Sequence, residues 1–236
     1  MFFVILSSLL VILFSIIFVR KKINSFHNIQ PIDGFNYESF KNKKIWIIGS
    51  SSGCGKSTLS LILSNVLEIP CLHMDEVRFV KNKSGFCIKP VEEKMKMINE
   101  FLENNDKWVI ESHVKQSDDI LLNSIDILIW LDIPLYICLY RVLKRSLHRV
   151  WFKEKLFNTE NREDILTVLK LWSNDSILTA TFRWYSKSQT QNEMIYKKYK
   201  GTSFHIRNYK TLNASLDSFS PNHTFSDLLK FRNFAK

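Results

Sequence analysis

"IWIIGSSSGCGKSTLS", Ile45 to Ser60, is the stretch whose reading decides the fold class. Ile45, Trp46, Ile47 and Ile48 are large and apolar without alternation, as in a strand buried on both faces of a parallel sheet. Small residues follow, and Lys56-Ser57-Thr58-Leu59 then opens a segment with helical spacing of apolar residues. Strand, glycine-bearing turn, Gly-Lys-Ser and helix, in that order, are the parts of a phosphate-binding loop. Glycine lets successive backbone N–H groups turn inward around an anion, and the helix N-terminus adds its dipole. The usual spacing, G-x-x-x-x-G-K-[ST], asks for glycine at position 50, where this chain has Ser50, with Gly49 one residue early. Position 50 turns the chain off the strand and touches phosphate less directly than Gly55 or Lys56, so the loop is expected to work. Gly53, Cys54, Gly55, Lys56, Ser57 and Thr58 are the expected nucleotide-binding residues. Lys56 reaches the outer phosphates, the Ser57 hydroxyl ligates Mg2+, and Thr58 adds a second hydroxyl.

Beyond this loop, short apolar runs alternate with helical patterns from Lys44 onward, the signature of an α/β domain with a parallel sheet. Strands are expected over 44–49, 70–74, 107–111, 126–132 and 202–207, and helices over about 56–67, 91–104 and 134–150. In the second of these helices Met95, Ile98 and Leu102 share one face, which reads as core packing.

Ligands in open α/β sheets sit at the carboxyl ends of the strands, so acidic residues there are candidates for chemistry. Asp75, just past "PCLHM", is placed to orient an acceptor. Glu111 ends "KWVIE", three apolar residues then a carboxylate, and is placed to organise Mg2+ and its water. Asp132 ends "ILIWLD" and reads either as a second such carboxylate or as an acid preceding the helix that Pro134 opens. That helix carries Arg141, Arg145, His148 and Arg149 at four- and three-residue steps, on one face, with Leu135, Leu139, Val142 and Leu143 on the other. A cationic stripe beside a phosphate loop is what phosphoryl transfer needs to neutralise developing charge. Arg141 and Arg145 are therefore the expected catalytic cations beside Lys56 and Asp75.

With "GCGKSTLS", "IPCLHMDEV", "WVIESH" and "ILIWLDIPLYICLYRVLKR" assembled in order, the chain resembles the adenylate-kinase-related P-loop proteins, most closely the DNA topology modulation group. The resemblance runs from about Lys44 to Asp217. It implies a three-layer P-loop NTPase core whose five-stranded parallel sheet has the order 2-3-1-4-5. It also implies a lid at about 151–181, with Arg162 and Arg183 as closing charges. The family's "D-G-N-Y" and "hxLD" acids fall on Glu111 and Asp75, and its lid-opening arginines, which contact phosphate or adenine, on Arg141 and Arg145. This chain departs in having "ESH" for "DGN", and "EVRFVKNKSGF" where the family has a tryptophan- and proline-bearing stretch. Both departures fall on the acceptor side.

The N-terminus sets where such a domain works. Residues 1–19, "MFFVILSSLLVILFSIIFV", are interrupted only by serines and are followed by Arg20, Lys21 and Lys22. About twenty apolar residues span the roughly 30 Å of a hydrocarbon core. No positive residue precedes the run and no A-x-A-like site follows it, which speaks against a cleaved signal. One N-terminal transmembrane helix within residues 1–22 is therefore expected, with the flanking positives holding everything after it on the cytoplasmic side. Residues 23–43, with Pro31 and Gly34, read as a linker; 44–217 as the P-loop domain; 218–236 as a C-terminal tail.

Lys and Arg number 33 against 23 Asp and Glu, a net +10. No dense basic block with interleaved aromatics accompanies this charge, which argues against a nucleic-acid partner. Cys54, Cys71, Cys87 and Cys138 are scattered without a Cys-x-x-Cys pair, which argues against a zinc site or a disulfide framework. Nothing in the sequence specifies an oligomeric state. The expectation is a membrane-anchored phosphotransferase that uses ATP and Mg2+ on a small-molecule acceptor, with a nucleotide-binding regulator lacking transfer as the alternative.

Overall fold

The computed structural model describes residues 30–80, 88–152 and 177–219. The strands are β1 (Lys44–Gly49), β2 (Cys71–His73), β3 (Trp108–Glu111), β4 (Ile127–Leu131) and β5 (Thr202–Ile206). They form one sheet in the order β2-β3-β1-β4-β5, all neighbours parallel. The expected order is thus the observed one, and the strand limits contract by at most a residue at each end. The longer described helices are α2 (Lys56–Leu67), α4 (Val91–Glu103), α6 (Leu135–Phe152), α7 (Ile177–Lys198) and α8 (Tyr209–Phe219). Shorter ones are α1 (Tyr37–Phe40), α3 (Met74–Arg78) and α5 (Asp118–Ser124).

The unbroken apolar strands make sense once both faces are seen. Ile45 and Ile47 of β1, Val109 of β3, and Ile127, Ile129 and Leu131 of β4 point to one face. There Leu59, Ile62 and Leu63 of α2 and Leu212 and Leu216 of α8 cover them. Trp46, Ile48, Trp108, Ile110, Leu128 and Trp130 point to the other face, under Ile98 of α4, Leu121 of α5 and Ile195 of α7. Alternation of period two is present, but both sides are apolar because both are covered. The Met95, Ile98, Leu102 stripe packs onto this second face as expected.

The linker reading of 23–43 does not hold for its second half. Phe35 and Phe40 are buried, and their rings pack against Phe204 of β5 and Phe219 of α8. Two aromatic anchors without helical or strand periodicity carry no sequence signal, since their partners lie far along the chain. Phe219 belongs to this cluster, so the folded part extends past residue 217. Among the described residues no helix is long and apolar enough to cross a membrane. The anchor expected at 1–22, the lid residues 153–176 with Arg162, and the tail from 220 lie outside the described residues.

Candidate nucleotide site

The loop between β1 and α2 is built by close packing. A Cβ at Gly49 would lie 2.6 Å from Cys54 Sγ and 3.1 Å from Lys56 Cγ. The glycine that comes one residue early is therefore the one that lets the loop fold back over the strand end. Ser50, at the position where the motif asks for glycine, is buried, and its hydroxyl finds no partner among the described residues. Gly53 has φ +81°, and a Cβ there would meet the Cys138 carbonyl at 2.5 Å. Helix α6 thus lies directly against the loop, with no room for a side chain between them. Gly55, with φ +105°, is the N-cap of α2 and supplies no side-chain cap. The first N–H groups of α2 are left for an anion.

Lys56 curls back over the loop, its Nζ donating to the Ser51 carbonyl at 3.1 Å and to Cys54 Sγ at 3.4 Å. Burial works to lower its pKa, but the neighbouring Cys54, Glu111 and Asp75 outweigh that and hold it above the ordinary lysine value. Thr58 sits in the same first turn of α2.

Ser57 Oγ donates to Glu111 Oε1 at 3.0 Å. This pairing follows from register: Ile47 lies beside Glu111, so the end of β3 stands next to the start of the loop that β1 enters. Glu111 is buried, 3% exposed. Burial raises its pKa; the His73 hydrogen bond, the charges of Lys56 and His73, and the Ser57 hydroxyl together more than reverse this and keep it below the usual carboxylate range. His73, the last residue of β2, approaches the same Oε1 with Nδ1 at 3.1 Å and Cys71 Sγ with Nε2 at 3.8 Å. Those two contacts raise its pKa to about 10 against the opposing effect of burial. His73 was visible in "PCLHM" as a titratable residue at a strand's carboxyl end, and sequence reading passed over it.

The residues fit a magnesium ion. Two oxygens in adjacent positions of an octahedron with bonds of about 2.1 Å lie about 3.0 Å apart, and the Ser57–Glu111 oxygen separation is 3.0 Å. Mg2+ takes few protein ligands and fills its sphere with water and phosphate oxygens. Among the described residues no group of three or more His, Cys, Asp or Glu is arranged to hold a metal without such help.

Arg141 of α6 reaches the loop from the other side. Its guanidinium lies over the Tyr209 ring at 4.7 Å, and its Nη1 lies 3.6 Å from where a Cβ on Gly55 would be. A flat cation on an aromatic face beside the loop is a surface on which a planar ring can stack. Tyr209, after β5, gave no sequence signal. Arg145 is half-buried one turn further along α6. Asp75 lies in the first turn of α3, half-exposed, 3.7 Å from Arg78 Nη1. Arg78 in turn donates through Nη2 to the His113 carbonyl at 3.0 Å.

Beyond Glu111 the chain departs from regular strand geometry. Ser112 has φ +70°, a left-handed conformation that glycine adopts without penalty and serine does not. It is held there by its own N–H on the Ile47 carbonyl at 2.8 Å and by the Trp46 indole N–H on its carbonyl at 2.7 Å.

Asp132 precedes α6, as one of its two readings has it, and it is Glu111 that receives the Ser57 hydroxyl. The Asp132 carboxylate accepts from His205 Nε2 at 2.8 Å, Gln189 Nε2 at 2.6 Å and Arg207 Nε at 3.3 Å. It ties the end of β4 and β5 to α7.

No family model matches the chain, and no curated protein matches it. Among solved structures it is similar to a shikimate kinase from Bacteroides thetaiotaomicron at 11% identity and TM-score 0.42, covering 81% of this chain and 97% of that one. It is also similar to a shikimate kinase from Acinetobacter baumannii, solved with shikimate, at 13% identity and TM-score 0.43, covering 85% and 98%. Likeness at this level carries no argument by itself. The α/β P-loop assignment rests on the strand order, the registers and the loop geometry.

Proposed function

We propose that this chain is an ATP-dependent phosphotransferase acting on a small-molecule acceptor. On this reading it is tethered through residues 1–22, with the domain on the cytoplasmic side. The observation that carries the transfer reading is the convergence of Lys56, Ser57 and Glu111 on one strand-end, with Arg141 closing over Gly55. The loop N–H groups and Lys56 bind the triphosphate. Ser57 and Glu111 would hold Mg2+, which supplies charge neutralisation to the phosphates when bound. Arg141, and Arg145 behind it, balance charge on the moving phosphoryl group, and Arg141 with Tyr209 offers the base a stacking surface. Asp75, paired with Arg78, faces the acceptor. The "GCGKSTLS" and "IWLDIPLYICLYRVLKR" segments support the adenylate-kinase-related assignment and the topology-modulation resemblance within it. The test is ADP formation from Mg-ATP with an acceptor panel, wild type against Lys56→Ala. Retained turnover in that variant sinks the assignment.

One observation favours a second reading, a nucleotide-binding regulator without transfer. His73 occupies the same Glu111 oxygen that would face the metal. Thermal stabilisation by Mg-ATP without ADP formation against any acceptor would select this reading.

A further inference from the structure

Helices α6 and α7 form an antiparallel pair. At its root, just before α6 begins, Tyr185 Oη donates to the Ile133 carbonyl at 3.2 Å and Gln189 Nε2 to Asp132 Oδ1 at 2.6 Å. Further out, Leu178 near the start of α7 packs with Val142 and Leu143 of α6, joined by Val150 and Ile177. The outside of this pair is unlike the rest of the described surface. Trp151 is 83% exposed and Trp184 52%, and Phe152 and Phe182 are exposed with them. Every other Phe and Trp among the described residues is buried or half-buried. Large apolar side chains gathered on one exposed part of a domain mark a contact surface.

The charge around these rings has one sign. Helix α6 carries Arg141, Lys144, Arg145 and Arg149 and neither Asp nor Glu, and in α7 Arg183 and Lys187 precede the first acid, Glu193. Lys144, Leu147 and Trp151 follow at three- and four-residue steps and are all exposed, so cation and ring share one side of α6. Lys187 Nζ stands 4.8 Å from the centre of the Trp184 ring. Tryptophan beside lysine, without acids, suits the headgroup layer of an anionic bilayer. There the rings enter the boundary of the acyl chains and the cations stay with the phosphates. The folded chain also begins close by. The Ile32 N–H donates to Ser215 Oγ at 2.7 Å, and Ser215 lies about 9 Å along α8 from Tyr209, whose ring lies under Arg141 of α6. Residues 23–31, about 30 Å if extended, are long enough for an anchor at 1–22 and the outer half of α6 to meet one surface.

We propose that the α6–α7 pair seats on an anionic lipid surface, with Trp151 and Trp184 entering the headgroup layer and Lys144 and Lys187 on its phosphates. This rests on the tethered reading: the anchor keeps lipid close, and the pair sets how the domain lies on it. Helix α6 also lies against Gly53 and carries Arg141 over the phosphate loop, so the contact would fix the nucleotide site relative to the membrane.

The test uses the full chain reconstituted into vesicles of phosphatidylcholine, alone or mixed equally with phosphatidylglycerol, with brominated acyl chains quenching tryptophan emission. None of the six Trp precedes Trp46, so the anchor is silent in this readout, and Trp46, Trp108 and Trp130 are buried in the domain. The expected result on the mixed vesicles is loss of about a third of the emission, two residues of six, with little loss on phosphatidylcholine alone. Trp151→Ser/Trp184→Ser should abolish that quenching. Lys144→Glu/Lys187→Glu, which keeps both rings, should reduce it by about 3-fold or more. Mg-ATP affinity should be the same in all of them. Quenching that is equal on the two vesicle types, that survives loss of both tryptophans, or that ignores the charge reversal overturns the contact. So does a chain that stays with the vesicles through alkaline carbonate yet shows no quenching, the result expected if protein surface, its own or a second copy's, covers the rings. A chain that carbonate strips from the vesicles overturns the tethered reading and this contact with it.

Discussion

Glu111 ends one of the two strands that flank β1 and Asp132 directly follows the other, and in sequence they look alike: "WVIE" and "ILIWLD" are both apolar runs closed by an acid. In space they face different neighbours. Glu111 ends β3, on the side where β1 leads into the loop and α2, and it meets Ser57 and His73. The strand before Asp132 pairs on its far side with β5, and Asp132 meets His205, Arg207 and Gln189. One carboxylate takes the hydroxyl that opens α2; the other accepts from donors that join strands to a helix. Both strands lie beside β1, so adjacency to the loop strand does not separate the two acids; the difference lies in the groups each carboxylate meets, Ser57 and His73 for one, His205, Arg207 and Gln189 for the other.

The contrast can be broken by mutation. On the Glu111 side the largest effect is expected from Lys56→Ala, about 10²- to 10³-fold in Mg-ATP turnover, with little change in melting temperature. Glu111→Gln should lower turnover by about 10- to 100-fold at saturating ATP, and added Mg2+ should recover part of it. Asp132→Asn should do the reverse. Turnover should stay within about 2-fold, while chemical denaturation shows a loss of about 2 kcal/mol from three weakened charge-assisted hydrogen bonds. If Asp132→Asn abolished turnover at unchanged stability, the division between the two acids would be wrong. Tyr209→Ala should raise the KM for ATP by about 5- to 10-fold through loss of the stacking surface behind Arg141. The smallest effect is Ser112→Gly, expected to stabilise by about 1 kcal/mol because glycine accepts φ +70° freely.

The Glu111–His73 pair also has a pH signature with a definite sign. Glu111 is held below its ordinary 4.5, so its contribution to stability is present above that value and lost as pH falls through the depressed folded pKa. His73 is raised from 6.5 to about 10, so its contribution is complete below 6.5 and fades as pH rises towards 10. Thermal melts from mildly acidic to alkaline pH should decline over that alkaline window, and His73→Asn should flatten the decline. A wild-type curve without it would show that the two side chains are not ion-paired.

Much of the core was legible because its signals are local. The strands and the loop glycines depend on steric and burial preferences that each segment expresses alone, and the five apolar runs with intervening helical spacing leave few arrangements for a parallel sheet. What went unread depends on partners distant in the chain. Phe35 and Phe40 fill space only because Phe204 and Phe219 come to them. His73 matters only because the β2–β3 register sets it beside Glu111. Tyr209 matters only because Arg141 lies across it.

By itself the sequence determined the strand, the glycine-bearing turn and the Gly-Lys-Ser opening of α2, because a loop of this kind is specified by contiguous residues. Only the tertiary structure decided that Gly49 makes room for Cys54 and Lys56, that Glu111 rather than Asp132 joins Ser57, and that His113 is clamped by Asp118 and Gln191. The Glu111 pairing depends on which strand lies beside which, and lateral order is a property of the folded sheet rather than of any one segment.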